Sequence, residues 1–554
     1  MKSVRLSPQP QRIAQEERYR QQRHDARFTL LLGFLSFVTL LAYYSRQELL
    51  LYGDAVAHIN IARRVIDNRH PVSFFVQFGT VWLPLQHAAM LPFVWNKALW
   101  QSGIAGAIPC MVAYVLGGLG IFRLVSSRSS RAAAYLAAAI YALNPNLLYM
   151  QTTAMNEPIM LAFLIWALVY LDELVRAAFP SQTRLGLPAR TSPDRAMEAC
   201  GIAMAGGVLT RYDGWFMAAV MAWIVGVVVV TWWLRNPDSI KRRTMAKSFV
   251  ELLLLNALIP VFWLTYTRNV SGYALDFVNG PYSAKAIALR TLAEGTPSYP
   301  GQHAPFTAAL YFLKAAKLNV GPDLWGQLML ALAIAGTAIA AWQWRRYGIL
   351  LVLWLPLPFY ALSIAYGSVP IFLPVWYPFS YYNVRYGLEL LPVFAVFSAI
   401  LADFLIEHLN HVRVEVAGWL ALGALVASSY VSIYRATPIT VREARVNSRT
   451  RISMETALAN FLVRMPRDAT LLMYLGQHVG ALQRADIPLR RVISEGTHPE
   501  WEWALLDPVH HADFLIACQG DPMSMAVREH RADLDELLAI NVPGQARCAV
   551  YRPR

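Results

Sequence analysis

Apolar runs of about 20 residues recur along most of the chain, the length a helix needs to cross a bilayer. In hydrocarbon, backbone amides must be satisfied within a helix or around a closed barrel. A barrel would show short alternating segments, and none dominate here. The expected fold class is a polytopic α-helical membrane protein of about eleven transmembrane helices. Charged residues are only 15% of the 554, against about 25% in a soluble protein. Candidate spans are 28–45, 104–124, 132–149, 158–175, 197–210, 214–234, 249–267, 325–343, 348–367, 387–406 and 414–434.

The formal net charge of +14 could suggest nucleic acid, but its distribution describes topology instead. Residues 1–27 carry seven Lys and Arg ahead of the first span. They form an expected basic cytoplasmic segment. Phe28–Tyr44 lacks a small-residue cleavage site, so it is an anchor and not a cleaved signal. With the N-terminus inside, every even-numbered connection is basic. These hold Arg123, Arg128 and Arg131; Arg176, Arg184, Arg190 and Arg195; Arg235, Lys241, Arg242, Arg243 and Lys247; Arg345 and Arg346; and Arg413. That is the positive-inside bias. The non-cytoplasmic face then comprises residues 46–103, turns near 150 and 211, loops 268–324 and 368–386, and the tail. Segment 81–100, broken by Pro84 and Pro92, suggests short interfacial helices with Trp82, Trp95 and Trp100 at headgroup depth.

Residues 435–554 change character. A helix is expected at 452–464 and strands at Thr470–Leu475, Arg491–Ser494, Phe514–Cys518 and Arg547–Tyr551, an α/β pattern of about 100 residues. Eleven spans put this domain outside, where an oxidising compartment permits a Cys518–Cys548 bridge. Cys110 and Cys200 fall in spans as packing residues. No zinc-type spacing, P-loop or GxGxxG between strand and helix occurs, so no metal or other cofactor is expected. Asp533-Leu534-Asp535 has an acid-x-acid form, but Arg528–Leu538 resembles the exposed face of a helix.

Three acids begin helices on the outer face: Asp54, Glu157 in Asn156-Glu157-Pro158, and Asp213 in Arg211-Tyr212-Asp213-Gly214. Carboxylates at a membrane boundary are costly unless paired or used. One reading is capping of the exposed first-turn amides. The other is general-base chemistry at Asp54, with His58 four residues on along the same helix face. Arg211, Arg268 and Arg385 stand where positive charge is disfavoured. They are either structural partners, such as Arg211 for Asp213, or a site for an anionic group, since guanidinium forks suit phosphate oxygens. Lys285 adds a point charge.

Across residues 28–434 the chain resembles the GT-C superfamily of membrane glycosyltransferases, which includes protein O-mannosyltransferases, lipid A aminoarabinose transferases and bacterial relatives. Gly53-Asp54 matches the acid after the first span, Trp82-Leu83-Pro84-Leu85-Gln86-His87 a Pro-Leu element, and Asn156-Glu157-Pro158 the second acid. Thr210-Arg211-Tyr212-Asp213-Gly214-Trp215, Asn279-Gly280-Pro281-Tyr282-Ser283-Ala284 and Asn383-Val384-Arg385-Tyr386-Gly387 resemble elements of the bacterial relatives. Asp54-Ala55 departs from the paired Asp-Glu of the protein O-mannosyltransferases, which argues against a protein acceptor.

The resemblance implies inverting transfer of a sugar from a polyprenyl-phosphate carrier to an extracytoplasmic glycan, lipid or protein, in a bacterial inner membrane. Asp54 would be the base, with Glu157 beside it. Arg211, Asp213, Lys285, Arg385, Tyr386, His58 and His87 would form the donor and phosphate site. Two other classes remain. A flippase for lipid-linked glycans would want charged or broken helices at the bilayer midplane. A non-catalytic scaffold would present the tail to a partner.

Overall fold

The computed structural model describes residues 8–69, 74–180, 189–286, 298–408 and 412–554. Among these, nine helical segments are long and apolar enough to cross a membrane: Arg23–Tyr44, Ile104–Ser126, Glu157–Ala178, Tyr212–Arg235, Ser239–Ser271, Asp323–Trp342, Trp344–Tyr366, Val384–Glu407 and Val412–Leu462. Each covers an expected span to within one residue. The other two expected spans are helical but shorter. Segment 132–149 breaks into Arg131–Ala142 and Pro145–Met150, because the Asn144 side chain accepts from Asn146 N and Leu147 N and starts a new helix. Pro193–Thr210 has 18 residues, a rise of about 27 Å, and packs between Glu157–Ala178 and Ser239–Ser271.

At one end of the bundle the expected cytoplasmic cations find acids. Arg128 and Arg176 both pair with Asp172, at 2.5 and 2.9 Å, and Arg123 pairs with Asp25 at 2.8 Å. Arg184, residues 1–7 and residues 287–297 of the long outer loop lie outside the described residues.

At the other end, residues 46–103 fold into short helices, Gly53–Ile66, Leu85–Val94 and Lys97–Ser102. Trp95 is exposed there, but Trp100, expected at the interface, faces inward. It is fully buried, donates to Asn60 at 3.2 Å and lies under Arg63. The long outer loop contains a further helix, Pro305–Val320, packed on residues 384–390.

The last membrane helix, Val412–Ala436, turns at Thr437-Pro438 into Ile439–Leu462. This helix starts earlier than the expected 452, because its first half packs against the membrane bundle and its second half against a sheet. The strands are β1 (Leu471–Met473), β2 (Val492–Ile493), β3 (Phe514–Cys518), β4 (Leu534–Ile540) and β5 (Cys548–Pro553). Their order is β2-β1-β3-β5-β4, with β1 parallel to β2 and β3, and β5 antiparallel to β3 and β4. Cys518 and Cys548 face each other across β3 and β5 and are bridged.

The expected helical face at Arg528–Leu538 is incorrect. That run ends one helix at Glu529 and then enters edge strand β4. Only Leu534 and Ile540 of β4 are buried. Its charges protect an open edge, as edge strands require, and Asp535 pairs with Arg554 at 2.9 Å.

Candidate active site

The acid-rich motifs are placed by tight backbone contacts. In Arg211-Tyr212-Asp213-Gly214 the chain turns between two helices, and a Cβ on Gly214 would stand 2.3 Å from the Gly207 carbonyl. In Asn383-Val384-Arg385-Tyr386-Gly387 the backbone presses on the Pro305–Val320 helix. A Cβ on Gly387 would stand 2.4 Å from the Ala315 carbonyl carbon. These close approaches fix Arg211 and Arg385 at the outer end of the bundle.

The two arginines join all three acids into one network. Arg385 bonds Asp54 Oδ2 through Nη2 at 2.6 Å, Glu157 Oε1 through Nε at 3.1 Å and Glu443 Oε1 through Nη1 at 3.3 Å. Its backbone N–H also donates to Glu443, at 3.2 Å. Arg211 bonds Asp213 at 2.9 Å, Asn156 at 2.6 Å, Glu157 at 3.5 Å and the Tyr360 hydroxyl at 2.7 Å. Tyr386 stacks under both guanidinium groups at 5.0 and 5.1 Å. Glu389 stands 3.9 Å from Arg211, fully buried, with neither oxygen hydrogen-bonded. Five carboxyl groups therefore face two guanidinium groups, and both expected phosphate binders are already engaged with acids.

Capping does not explain Asp54. The Gly53–Ile66 helix has Tyr52 as its N-cap, with no side-chain cap bond, and Asp54 lies inside the first turn. Glu157 likewise begins its helix without capping it and bonds the arginines instead. Asp213 is mixed, since it pairs with Arg211 and also accepts from the Gly214 amide at 2.9 Å.

Asp54 is the member of this network that opens outward. Its side chain is 45% exposed, against 7% for Arg385 and 0% for Glu157. It lines a cavity of about 1170 Å³ between the membrane domain and the C-terminal domain. The wall combines Val56, Ile61, Trp82 and Tyr282 with Leu475, His478 and Gly496. Tyr282, from the expected Asn279–Ala284 motif, stacks near Tyr474 at 6.1 Å.

His58 and His87, expected in the phosphate site, do not bond Arg211 or Arg385. They bond each other, Nδ1 to Nε2 at 2.8 Å, and His58 packs on Trp82. Both are buried beneath the cavity floor. Burial, with Arg211 and Arg385 adding to it, pushes the His58 imidazole down to about 3, and burial holds His87 well below its usual range. The structure thus places both histidines, bonded to each other, outside the Arg211–Arg385 network. Lys285 and Arg268 are exposed and do not line the cavity.

Sequence reasoning missed Glu389, Glu443, Asn156 and Tyr360. An acid inside an apolar span is a recognisable signal, and Glu389 carried it. Glu443 lies in a charge-rich helix and shows nothing locally. Among the described residues one group has metal-like spacing, His478 with Cys518 and Cys548, but both sulfurs are in the disulfide.

Comparison with solved structures gives the architecture a name. ArnT from Cupriavidus metallidurans, solved bound to undecaprenyl phosphate, matches with a TM-score of 0.54 at 13% identity, over 95% of this chain and 97% of that one. The family model for dolichyl-phosphate-mannose-protein mannosyltransferase matches residues 105–274. This is a GT-C superfamily fold. A further match is the oligosaccharyltransferase AglB from Archaeoglobus fulgidus, in complex with an inhibitory peptide and a dolichol-phosphate. It matches with a TM-score of 0.47 at 13% identity, over 96% of this chain and 74% of that one. The search of curated protein sequences found no match. The multi-pass helical bundle and its small C-terminal sheet domain thus share the fold of ArnT.

Proposed function

We propose that this protein is a membrane glycosyltransferase that moves a sugar from a polyprenyl-phosphate carrier to an extracytoplasmic acceptor. The observation that carries this reading is Asp54, a half-exposed carboxylate held by buried Arg385 at the wall of a large cavity. In the proposed reaction Asp54 takes the proton from an acceptor hydroxyl or amine. The acceptor atom bonds the anomeric carbon while the bond to the carrier phosphate breaks, with inversion. Glu157, through Arg385, orients Asp54 and does not touch the sugar. Arg385, bonded to Asp54 at 2.6 Å, lends its charge to the departing phosphate from behind the carboxylate, as fixed cations do. Tyr386 holds both guanidinium groups flat. A bacterial inner membrane, with the N-terminus inside and the C-terminal domain in the periplasm, fits the basic even-numbered loops.

Purified protein incubated with a panel of polyprenyl-phosphate sugars should release carrier phosphate in an Asp54-dependent way. Efficient transfer from a nucleotide sugar with no carrier present would overturn the donor assignment. Binding without turnover for every donor would favour a scaffold.

A further inference from the structure

The Gly53–Ile66 helix carries Asp54 near its start and Arg64 ten residues later, about 15 Å along the axis. Both line the cavity. The two arginines of that wall are used differently. Arg451 is saturated: it bonds both oxygens of Glu455 at 2.8 Å and the Leu50 and Leu51 carbonyls at 3.0 and 2.9 Å. Among the described residues Arg64 makes one hydrogen bond, from Nη2 to the Gln77 carbonyl at 2.9 Å. Its Nε is buried without a partner, and it forms no salt bridge among the described residues.

The missing side chain at Gly496 leaves room for its guanidinium. A Cβ on Gly496 would stand 3.1 Å from Nη1. The neighbouring acid, Glu495, accepts from the Leu475 amide at 2.8 Å. Burial pushes the Glu495 carboxyl up, although Arg64 pulls it down. A buried donor left unmade is destabilising, so the arrangement suits a ligand better than it suits the fold.

We propose that Arg64 binds an anionic group, carboxylate or phosphate, carried by the acceptor; this rests on the transferase reading above. The leaving phosphate cannot be that group, because it must lie within one sugar ring of the atom Asp54 activates. A bilayer headgroup is also unsuited, because Leu489, Glu495 and Gly496 of the C-terminal domain surround this part of the cavity. A guanidinium fork matches the oxygens of either anion. The acceptor is accordingly an anionic glycan or glycolipid longer than one sugar, spanning from Asp54 to Arg64.

The test uses the full-length protein in lipid nanodiscs, with a labelled polyprenyl-phosphate sugar that supports carrier release. Envelope glycans and glycolipids from cells lacking the protein are split by anion exchange into retained and unretained fractions. Label is expected in the retained fraction. Arg64→Gln should lower that transfer about ten- to a hundredfold, the worth of a charge-assisted hydrogen bond, and Arg64→Lys should restore part of it. Slow hydrolysis of the donor by water should be unchanged in both variants. Label confined to the unretained fraction, or wild-type transfer by Arg64→Gln, would overturn the proposal and leave the transferase reading intact. Absence of both transfer and donor hydrolysis in the wild type would sink the two together. Glycerol phosphate, titrated by calorimetry, should bind the wild type and not Arg64→Gln; equal binding would also count against the assignment.

Discussion

Replacing Asp54 by Asn separates catalysis from structure more cleanly than any other change at the site. The swap keeps the size of the side chain and an oxygen that can accept from Arg385. It removes the charge and the proton acceptor. Structurally little depends on Asp54: its side chain is 45% exposed, it caps nothing, and Arg385 keeps Glu157 and Glu443 without it. An exposed ion pair contributes about 0–1 kcal/mol, and a first-turn acid about 0.3–1 kcal/mol through the helix dipole. The stability loss should therefore not exceed about 2 kcal/mol. A general base contributes roughly 10²–10⁴-fold to rate, about 2.7–5.5 kcal/mol of barrier. Single-turnover release of carrier phosphate should thus slow by at least a hundredfold, with donor affinity and melting temperature nearly unchanged. Release within fivefold of wild type would refute Asp54 as the base. A parallel collapse of folding and turnover would show that its role is structural.

Other outcomes follow from the same structure. His58 is depressed to about 3 in the folded protein, against about 6.5 unfolded. The unfolded chain then binds the extra proton, so this contribution is complete above pH 6.5 and is lost as pH falls toward 3. From pH 8 to pH 5 the protein should lose about 2 kcal/mol that a His58→Gln variant does not lose; identical pH–stability curves for the two would contradict this. The Cys518–Cys548 bridge closes a loop of sequence separation 30, worth about 3–4 kcal/mol in the chain-entropy account. Reduction should lower the unfolding temperature of the C-terminal domain, and thiol labelling of unreduced, denatured protein should reach only Cys110 and Cys200. A reporter that is active only after export, fused behind Arg554, should be active, and one inserted after Arg243 should not; the reverse pattern would invert the topology.

The spans and the three acids were legible in the sequence because both signals are local. Apolar length marks a span, and an acid at its boundary stands out against a costly background. What joins the acids was harder to see. Arg385 reaches Glu443 across 58 positions, and nothing near Glu443, among Arg442, Arg445, Arg449 and Arg451, distinguishes it from a solvated helix. The assignment of His58 failed for another reason. Spacing of four gives a shared helix face, but not whether a long side chain turns toward the cavity or toward His87. Strand β4 was misread because its charges are those of an exposed edge, which a helix surface also carries. Arg64, next to Arg63, gave no local sign that one would bond Asp67 and the backbone while the other stayed unsatisfied.

The helix that bears Asp54 ends on the C-terminal domain. Asp67, just past that end, accepts from Leu489 N at 3.1 Å and Arg490 at 3.0 Å, and Asn60 donates to Gln483 at 2.8 Å. Asp54, about 20 Å away at the other end, is bonded to Arg385 at 2.6 Å, so the helix is tied at both ends. A tilt of about 5° over that length would displace the carboxylate by about 1.7 Å, and misplacement of about 1 Å can cost a hundredfold in rate. The seating of the outer domain on this helix therefore bears directly on where the Asp54 carboxylate stands.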